Sequence, residues 1–295
     1  MSMLEQQTEA WLKDRRNHLG ASDAPVIMEV SPWSTPLQLW EEKVGVRGSK
    51  VKTAAMQHGL DTEEEARKKF EEITDIYVIP QVVKHPTKKW MMASLDGMDI
   101  ERNNIVEIKC PRNVVDHEIA RAKEVPNKYY PQLQHQMFVC ELDKAYYFSY
   151  RNKEGLVVEV KRDEDYLKKL LEKEELFWEC VQSFTPPSAI EKDYVRMNDP
   201  GFNAYVERYL AADAMIGKYE KEREEIKEHL LLMAGGLNVK SSRLSITKVV
   251  RKGIVDYKAI PELESIDLEK YRKAPITSWR LTNAEVSHTR SKVQA

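Results

Sequence analysis

The segment that most constrains this chain is Ile105-Val106-Glu107-Ile108-Lys109, an apolar run carrying an acid and a base two residues apart. An extended strand turns successive side chains to opposite faces, so Glu107 and Lys109 share one face while Val106 and Ile108 enter a core on the other. A carboxylate and an ammonium are thereby held side by side on a sheet. Asp96, in Ser94-Leu95-Asp96-Gly97, lies eleven residues before Glu107 and closes another extended run, and a meander would set the two acids together. Two carboxylates plus the Ile108 carbonyl make the hard oxygen set that Mg2+ prefers, with water completing the shell. Such a cation polarises a phosphate and acidifies a bound water, which Lys109 can orient or help deprotonate. A lone Glu-x-Lys pair more often faces solvent on an edge strand; the upstream Asp-Gly and the acidic helix before both shift the balance to a site.

Periodicity and punctuation organise the rest. A helix is expected over residues 9–16, then a Gly20-Ala21-Ser22-Asp23 turn whose Ser22 or Asp23 could cap a second short helix. The Ser31-Pro32-Trp33-Ser34-Thr35-Pro36 loop leads into a helix begun by Thr35 and Pro36. Thr62-Glu63-Glu64-Glu65 reads as a capping box, with Ala66, Phe70 and Ile73 on one helical face beyond it. Extended runs follow at 76–83, 90–95 and 105–109, then a helix at 127–140, strands at 145–151 and 156–161, and a helix at 163–182. That order describes an α/β class core, an α+β mixed sheet flanked by helices, ending near Pro186-Pro187. Residues 1–188 are expected to form the core, and 189–295 an accessory region of long helix, β-hairpin and tail. In it, 202–233 is helical with Gly217 as a possible interruption, and 237–257 alternates as two strands would, with Leu244, Ile246, Val249 and Ile254 as its apolar set.

Composition excludes several classes. The longest apolar runs are too short to span a bilayer, no secretory segment follows Met1, and a cytoplasmic location is expected. Cys110, Cys140 and Cys180 suit neither a disulfide framework nor a zinc site, and His18, His58, His117 and His135 show no ligand spacing with them. The net charge of −2 conceals an acidic stretch at 61–75 and a basic one at 236–258, which includes Lys240, Arg243, Lys248 and Arg251. Acids for a cation beside bases for phosphates suit a metal-dependent nuclease, although solvated helix faces produce the same runs. Lys88 and Lys89, with Lys84, His85 and Trp90 around them, are candidate DNA-backbone contacts or a solvated hairpin.

The acid, acid-x-lysine set resembles that of the PD-(D/E)xK nucleases, with Leu95 in place of the proline. Arg15, Gly20-Ala21-Ser22-Asp23, the Ser31–Pro36 loop with Leu39-Trp40, His58-Gly59 with Glu63, Ser94-Leu95-Asp96-Gly97, Glu107-Ile108-Lys109-Cys110-Pro111, and Tyr129 with Gln132, Gln134 and Gln136 together resemble the YqaJ-type viral recombinase family, related to lambda exonuclease. The resemblance implies a restriction-endonuclease-like core and a phage or prophage enzyme of a bacterial host. Such an enzyme degrades one strand of linear double-stranded DNA from its 5′ end with Mg2+, Mn2+ being able to substitute, and leaves a 3′ strand for a single-strand annealing recombinase. It further implies Asp96, Glu107 and the Ile108 carbonyl as metal ligands, Lys109 as the catalytic lysine, and Glu63 reaching the metal through water. Arg15, Ser22 and Ser94 match a 5′-phosphate pocket, and an arginine fork with two hydroxyls suits a dianionic phosphate. Tyr129, Gln132 and Gln136 fall on one helix face beside the Leu133 and Met137 stripe; Tyr129 could touch the scissile strand and Gln132 orient water, while Gln136 is read as satisfying a buried polar neighbour. A homotrimer follows only by analogy with the lambda enzyme. Competing readings are an endonuclease on the same fold and a catalytically silent DNA-end-binding scaffold.

Overall fold

A computed structural model describes residues 15–48 and 53–256, with Ile260, Pro261, Leu263, Ile266, Lys273, Ile276, Ser278 and Leu281. Residues 9–14 of the first expected helix, Lys258 and most of the tail lie outside the described residues. The chain divides into two compact units, Met1–Val195 and Arg196–Ala295.

The first unit is built on a six-stranded mixed sheet. Its elements are β1 (Leu19–Gly20), a 3-10 turn (Ala21–Asp23), α1 (Ala24–Ile27), α2 (Pro36–Lys43), α3 (Ala54–Thr74), β2 (Ile79–Lys84), β3 (Met91–Met98), β4 (Ile105–Lys109), α4 (Val115–Arg121), α5 (Tyr130–Cys140), β5 (Lys144–Arg151), β6 (Glu154–Lys161) and α6 (Glu164–Gln182). The expected meander is present: β2, β3 and β4 pair antiparallel in succession, β4 then runs parallel to β5, and β5 forms a hairpin with β6. Asn152 and Lys153, both at positive φ (49° and 66°), make the tight turn of that hairpin.

Local chemistry accounts for the helix starts. Thr35 accepts the Gln38 N–H at 3.2 Å ahead of Pro36, and Asp163 accepts the Tyr166 N–H at 2.9 Å. The capping box at Thr62 does not form. Helix α3 begins a full two turns earlier, so Thr62 is interior and its hydroxyl donates to the His58 carbonyl at 2.7 Å. Ser22 and Asp23 do not cap α1 either; Asp23 is buried and takes the Gly20 N–H at 2.9 Å and the Lys43 ammonium at 2.6 Å.

Helices cover both faces of the sheet. Ala66 and Phe70 of α3 meet Val106, Ile108, Phe148 and Tyr150 on one side, while Leu133 and Met137 of α5 meet Ala93, Leu95 and Tyr147 on the other. Ile73, expected on the same stripe as Phe70, is nearly half exposed at the end of α3.

Strand β3 creates the opening. Strand β2 covers one of its edges from Met92 to Met98, so β1, paired at Met91–Met92, and β4, paired at Gly97–Met98, must share the other edge. The stretch 93–96 between them has no strand neighbour on that side. Within it β3 carries an extra residue, since Gln81 pairs with Leu95 but Ile79 with Met98. A bulge of this kind breaks the alternation of side chains and re-aims one of them. Ala93, Leu95 and Met98 consequently all enter the core, and Asp96 turns edgewise toward β4. Gly97 is required there, because a Cβ would stand 2.5 Å from Val78 Cγ2 and 2.8 Å from Val106 Cγ1.

In the second unit, α7 (Pro200–Ala234) runs uninterrupted through Gly217 and ends at Gly235, which takes the left-handed conformation at φ 56°. The two strands expected beyond it are only β7 (Val239–Lys240) and β8 (Ser245–Ile246). Leu244, Val249 and Ile254 are exposed, so no apolar face forms there to extend the pairing.

Candidate active site

Glu107 is the centre of the cluster, 1% exposed although charged. Its Oε1 accepts Lys109 Nζ and, at 2.7 Å, Gln132 Nε2; its Oε2 accepts Gln136 Nε2. Gln132 and Gln136 stand one helical turn apart on α5, so both amides reach the same carboxylate and hold it from below the sheet. Gln136, read from sequence as satisfying a buried polar neighbour, and Gln132, read as orienting water, thus share one partner. Gln134 points elsewhere and ties α5 to the Lys161 carbonyl and the Asp163 N–H.

From the bulge, Asp96 accepts the Ile108 N–H at 2.8 Å, so its side chain takes the place of a ladder carbonyl where the strands part. Burial, with the charges of Glu107 and Glu63, raises the Asp96 carboxyl well above the ordinary carboxylate range, against the pull of Lys109. Burial opposes the Lys109 charge too, but Glu107 and Asp96 more than offset it and keep the ammonium above its usual range. Its two acidic neighbours thus favour the ammonium form of Lys109. Its side chain is 25% exposed, the route by which the cluster meets solvent.

Two carboxylates, one of them destabilised by the other, and a nearby backbone carbonyl fit a hard divalent cation whose remaining ligands are water. Among the described residues no group of three or more carboxylate, imidazole or thiol side chains gathers to cage a metal. A cation held by two carboxylates would take most of its remaining ligands from water. Glu63 is near enough to act on Asp96, but its Oε1 accepts from Arg67 Nη2 at 2.7 Å; Arg67 Nε also donates to the Asp96 carbonyl at 3.0 Å. Arg67 was missed from sequence, where an i,i+4 Glu–Arg pair is a common surface feature with no functional signal.

Arg15 and Ser22 are brought together, Nη2 to Oγ at 2.6 Å. The β1–β3 register, Leu19 with Met91 and Gly20 with Met92, makes the 3-10 turn bearing Ser22 leave the sheet at the level of Ala93 and Ser94. Lys43, paired to buried Asp23, also donates to the Arg15 and His18 carbonyls at 2.9 and 2.6 Å and fixes this corner. Tyr129, preceding α5, stacks on buried Tyr147 with 5.9 Å between ring centroids and lies beneath both Lys109 and Lys128, each 5.2 Å from its ring. Trp33, 62% exposed, lies 6.3 Å from Tyr129 with the two rings tilted by 32°, and Lys128, held by buried Asp116 at 2.7 Å, lies 5.4 Å from the indole. Trp33 and Lys128 carried no separate signal in sequence because their partners are distant along the chain.

Lys88 and its neighbours in the first unit are engaged elsewhere. Lys88 pairs with Glu175 of α6, Trp90 stacks on Trp178 at 6.0 Å, and His85 is buried against Phe138 at 4.7 Å, so that segment packs onto helices. Lys89 is exposed. Lys240, Arg243, Lys248 and Arg251 are exposed in the second unit. The three cysteines are free, with burial pushing the Cys110 and Cys140 thiols up to about 12.

A mixed sheet flanked by helices, with an acid on one strand and an acid-x-lysine on the next where the two part, is the PD-(D/E)xK fold. Residues 10–143 match the family model described as the YqaJ-like viral recombinase domain. The protein YqaJ of Bacillus subtilis (strain 168) is 30% identical over 182 residues, 59% of this chain and 56% of that protein. Protein R354 of Acanthamoeba polyphaga mimivirus is 25% identical over 154 residues, 48% of this chain and 28% of that protein. The chain thus spans little more than half of the first relative and less than a third of the second. Among solved structures, the alkaline exonuclease LHK-Exo of Laribacter hongkongensis shares the fold, with a TM-score of 0.53 and 21% identity over 70% of this chain and 99% of that one.

Proposed function

We propose that the first unit is a Mg2+-dependent deoxyribonuclease acting as a 5′-to-3′ exonuclease on linear double-stranded DNA, leaving 3′ overhangs for a single-strand annealing recombinase in the cytoplasm of a phage-bearing bacterial host. The observation that carries this reading is the convergence of Asp96, Glu107 and Lys109 at the unpaired stretch of β3, with Glu107 clamped by two glutamines. The fold shared with a protein described as an alkaline exonuclease supports the same chemistry. Asp96, Glu107 and the Ile108 carbonyl would hold Mg2+, Mn2+ substituting, with Glu63 acting through water. When bound, the cation supplies Lewis-acid activation of a phosphate and of a water.

The chain's own groups then have defined tasks. Gln132 and Gln136 fix the Glu107 carboxylate so that it need not reorganise when charge develops nearby. Lys109, held protonated, stabilises negative charge at the phosphate. Arg15 and Ser22, with Ser94 at the level where their turn leaves the sheet, would receive a terminal 5′-phosphate and favour cutting from an end. Tyr129, Trp33 and Lys128 offer ring faces and a cation to the strand being cut. Among the described residues no helix is long and apolar enough to cross a membrane.

The test is digestion of 5′-phosphorylated linear duplex beside 5′-hydroxyl and circular duplex, with and without Mg2+. Cation-dependent loss of the phosphorylated linear substrate is expected. Cutting of the circle would make it an endonuclease, and no cutting of any form would remove the enzymatic reading.

A further inference from the structure

Helix α3 carries Glu63 and Arg67 one turn apart, and the guanidinium of Arg67 joins two elements. Its Nη2 donates to Glu63 Oε1 at 2.7 Å, and its Nε donates to the Asp96 carbonyl at 3.0 Å. An acid and a base at i and i+4 on a helix are ordinarily a solvated surface pair. Here the two side chains are only 29% and 16% exposed, and the base is also bound to the main chain of a candidate metal ligand. The strand registers pass over Asp96: β2 pairs with Leu95 and then Met98, and β4 begins its pairing at Gly97. A bulge interrupts the ladder in this way, and at Asp96 the carbonyl takes a side-chain donor instead of a strand N–H.

A guanidinium is planar, with its nitrogens fixed relative to one another. With Nε seated on the Asp96 carbonyl, the position of Nη2 is set, and Glu63 Oε1 is set with it. Arg67 thereby determines where the helix acid stands relative to β3. Neither of the two bonds involves a carboxyl oxygen of Asp96 or Glu107, which stay available to a cation.

The consequence is one of ligand number. Glu63 is close enough for its charge to raise the Asp96 carboxyl, yet with Oε1 on Arg67 it does not gather with Asp96 and Glu107; among the described residues no three such side chains do. Mg2+ dehydrates reluctantly and is content with one or two carboxylates and water, whereas Ca2+ takes about six to eight oxygen ligands in flexible arrangements and gains from each added carboxylate. A third carboxylate set free within reach would therefore favour Ca2+.

We propose that Arg67 is a positioning residue that sets the cation selectivity of this site, holding Glu63 back so that the ligand number stays low and Mg2+ is favoured over Ca2+. This rests on the reading of Asp96 and Glu107 as metal ligands and adds to it a residue and a selectivity.

The measurement is the affinity of the full chain for Mg2+ and for Ca2+ without DNA, each read by displacement of Mn2+, whose free aquo ion gives a paramagnetic resonance signal. Arg67→Gln removes a positive charge, which strengthens both cations alike, so the ratio of the two affinities reports ligand number. That ratio should move toward Ca2+ by about tenfold or more, the usual reach of an outer partner on a metal site. Glu63→Gln alone should leave it near the wild-type value, and Arg67→Gln combined with Glu63→Gln should return it there, because the freed ligand is gone. A shift that persists in the double variant would mean that Arg67 acts by shaping β3 and not through Glu63, and would overturn the proposal. An unmoved ratio in Arg67→Gln overturns it as well. Should circular dichroism show that variant unfolded, Arg67→Lys is read in its place: it keeps the charge but has a single nitrogen for two acceptors, and the same direction of shift is expected. A wild-type chain that displaces no Mn2+ removes the metal site itself and the proposal with it, a result distinct from binding with an unmoved ratio.

Discussion

Helix α5 carries two buried polar clusters that differ in almost everything except burial. One face offers Gln132 and Gln136 to Glu107, which also takes Lys109. From the same helix His135 gives Nδ1 to Glu174 of α6 at 2.7 Å and Nε2 to the Met92 carbonyl at 3.1 Å. Both imidazole nitrogens face acceptors; although burial disfavours the imidazolium, Glu174 raises the His135 pKa above the ordinary value. This second pair is sealed, both side chains fully buried. The first sets two carboxyl groups, Asp96 and Glu107, against the single ammonium of Lys109, and is open through Lys109. Burial is common to both clusters; what separates them is the unmatched carboxyl and the opening to solvent.

The largest expected effects fall on the open cluster. Glu107→Gln and Asp96→Asn should reduce cleavage of linear duplex to background in saturating Mg2+, since each removes a hard ligand of matching shape. Asp96→Asn should melt no lower than wild type at neutral pH. A carboxyl whose folded pKa exceeds its unfolded value costs stability once pH passes the latter, and the amide oxygen can still accept the Ile108 N–H. Lys109→Ala should slow single-turnover cleavage by about a hundredfold or more, the usual worth of a positioned catalytic group. Near-normal turnover by either carboxylate variant would erase the distinction between the clusters.

The sealed pair should show the opposite profile. His135→Ala leaves Glu174 buried without its partner and should cost about 3–5 kcal/mol of stability, measured by denaturant unfolding, while the folded fraction cleaves normally. Replacing both residues by leucine should recover much of that loss. Because the folded pKa of His135 is raised, its contribution is fully present below the unfolded value of about 6.5 and is lost as pH rises through the higher folded value. Wild-type stability should thus fall across that interval relative to the leucine double variant, and parallel pH profiles would mean that His135 is neutral in the fold.

What the sequence could disclose follows the same division. Glu107, Lys109 and the Gln132–Gln136 face were legible because period two and period 3.6 are local. The aim of Asp96 was not, because the bulge that turns it is a mismatch of register between β3 and β2, which no single run of residues contains. Thr62 misled because Thr-x-x-Glu reads the same inside a helix as at its start, and α3 begins eight residues before it. Arg67, and Lys128 held by Asp116, depend on partners from other elements.

Trp33 sharpens the comparison from the entrance. If the open cluster is reached by a DNA strand laid across the Trp33–Tyr129 pair, Trp33→Ala should weaken binding of a 5′-phosphorylated single strand by about 1–3 kcal/mol, the usual worth of a base stacked on an aromatic ring, and Trp33→Phe should recover most of it. Fluorescence anisotropy without added metal measures this apart from cleavage. Since the indole is mostly exposed, melting should not change; equal binding by wild type and the alanine variant would confine the entrance to Lys109.

The smallest effect concerns charge with full access, the exposed bases around the β7–β8 hairpin. Lys240, Arg243, Lys248 and Arg251 are exposed in the second unit, and a base of this kind that touches a phosphate acts on DNA through counterion release. Neutralising a base that touches a phosphate should then flatten the log–log dependence of duplex affinity on salt by about one unit, without sequence preference and without change in the cleavage rate at saturating DNA. Substituting the four by glutamine one at a time separates phosphate-binding residues from bystanders, because a residue that touches no phosphate leaves the slope where it was. If all four leave it unchanged while the variants keep the wild-type mass in solution, the hairpin is not a DNA surface, and unmatched charge with open access fails as a sufficient mark of function just where the access is greatest.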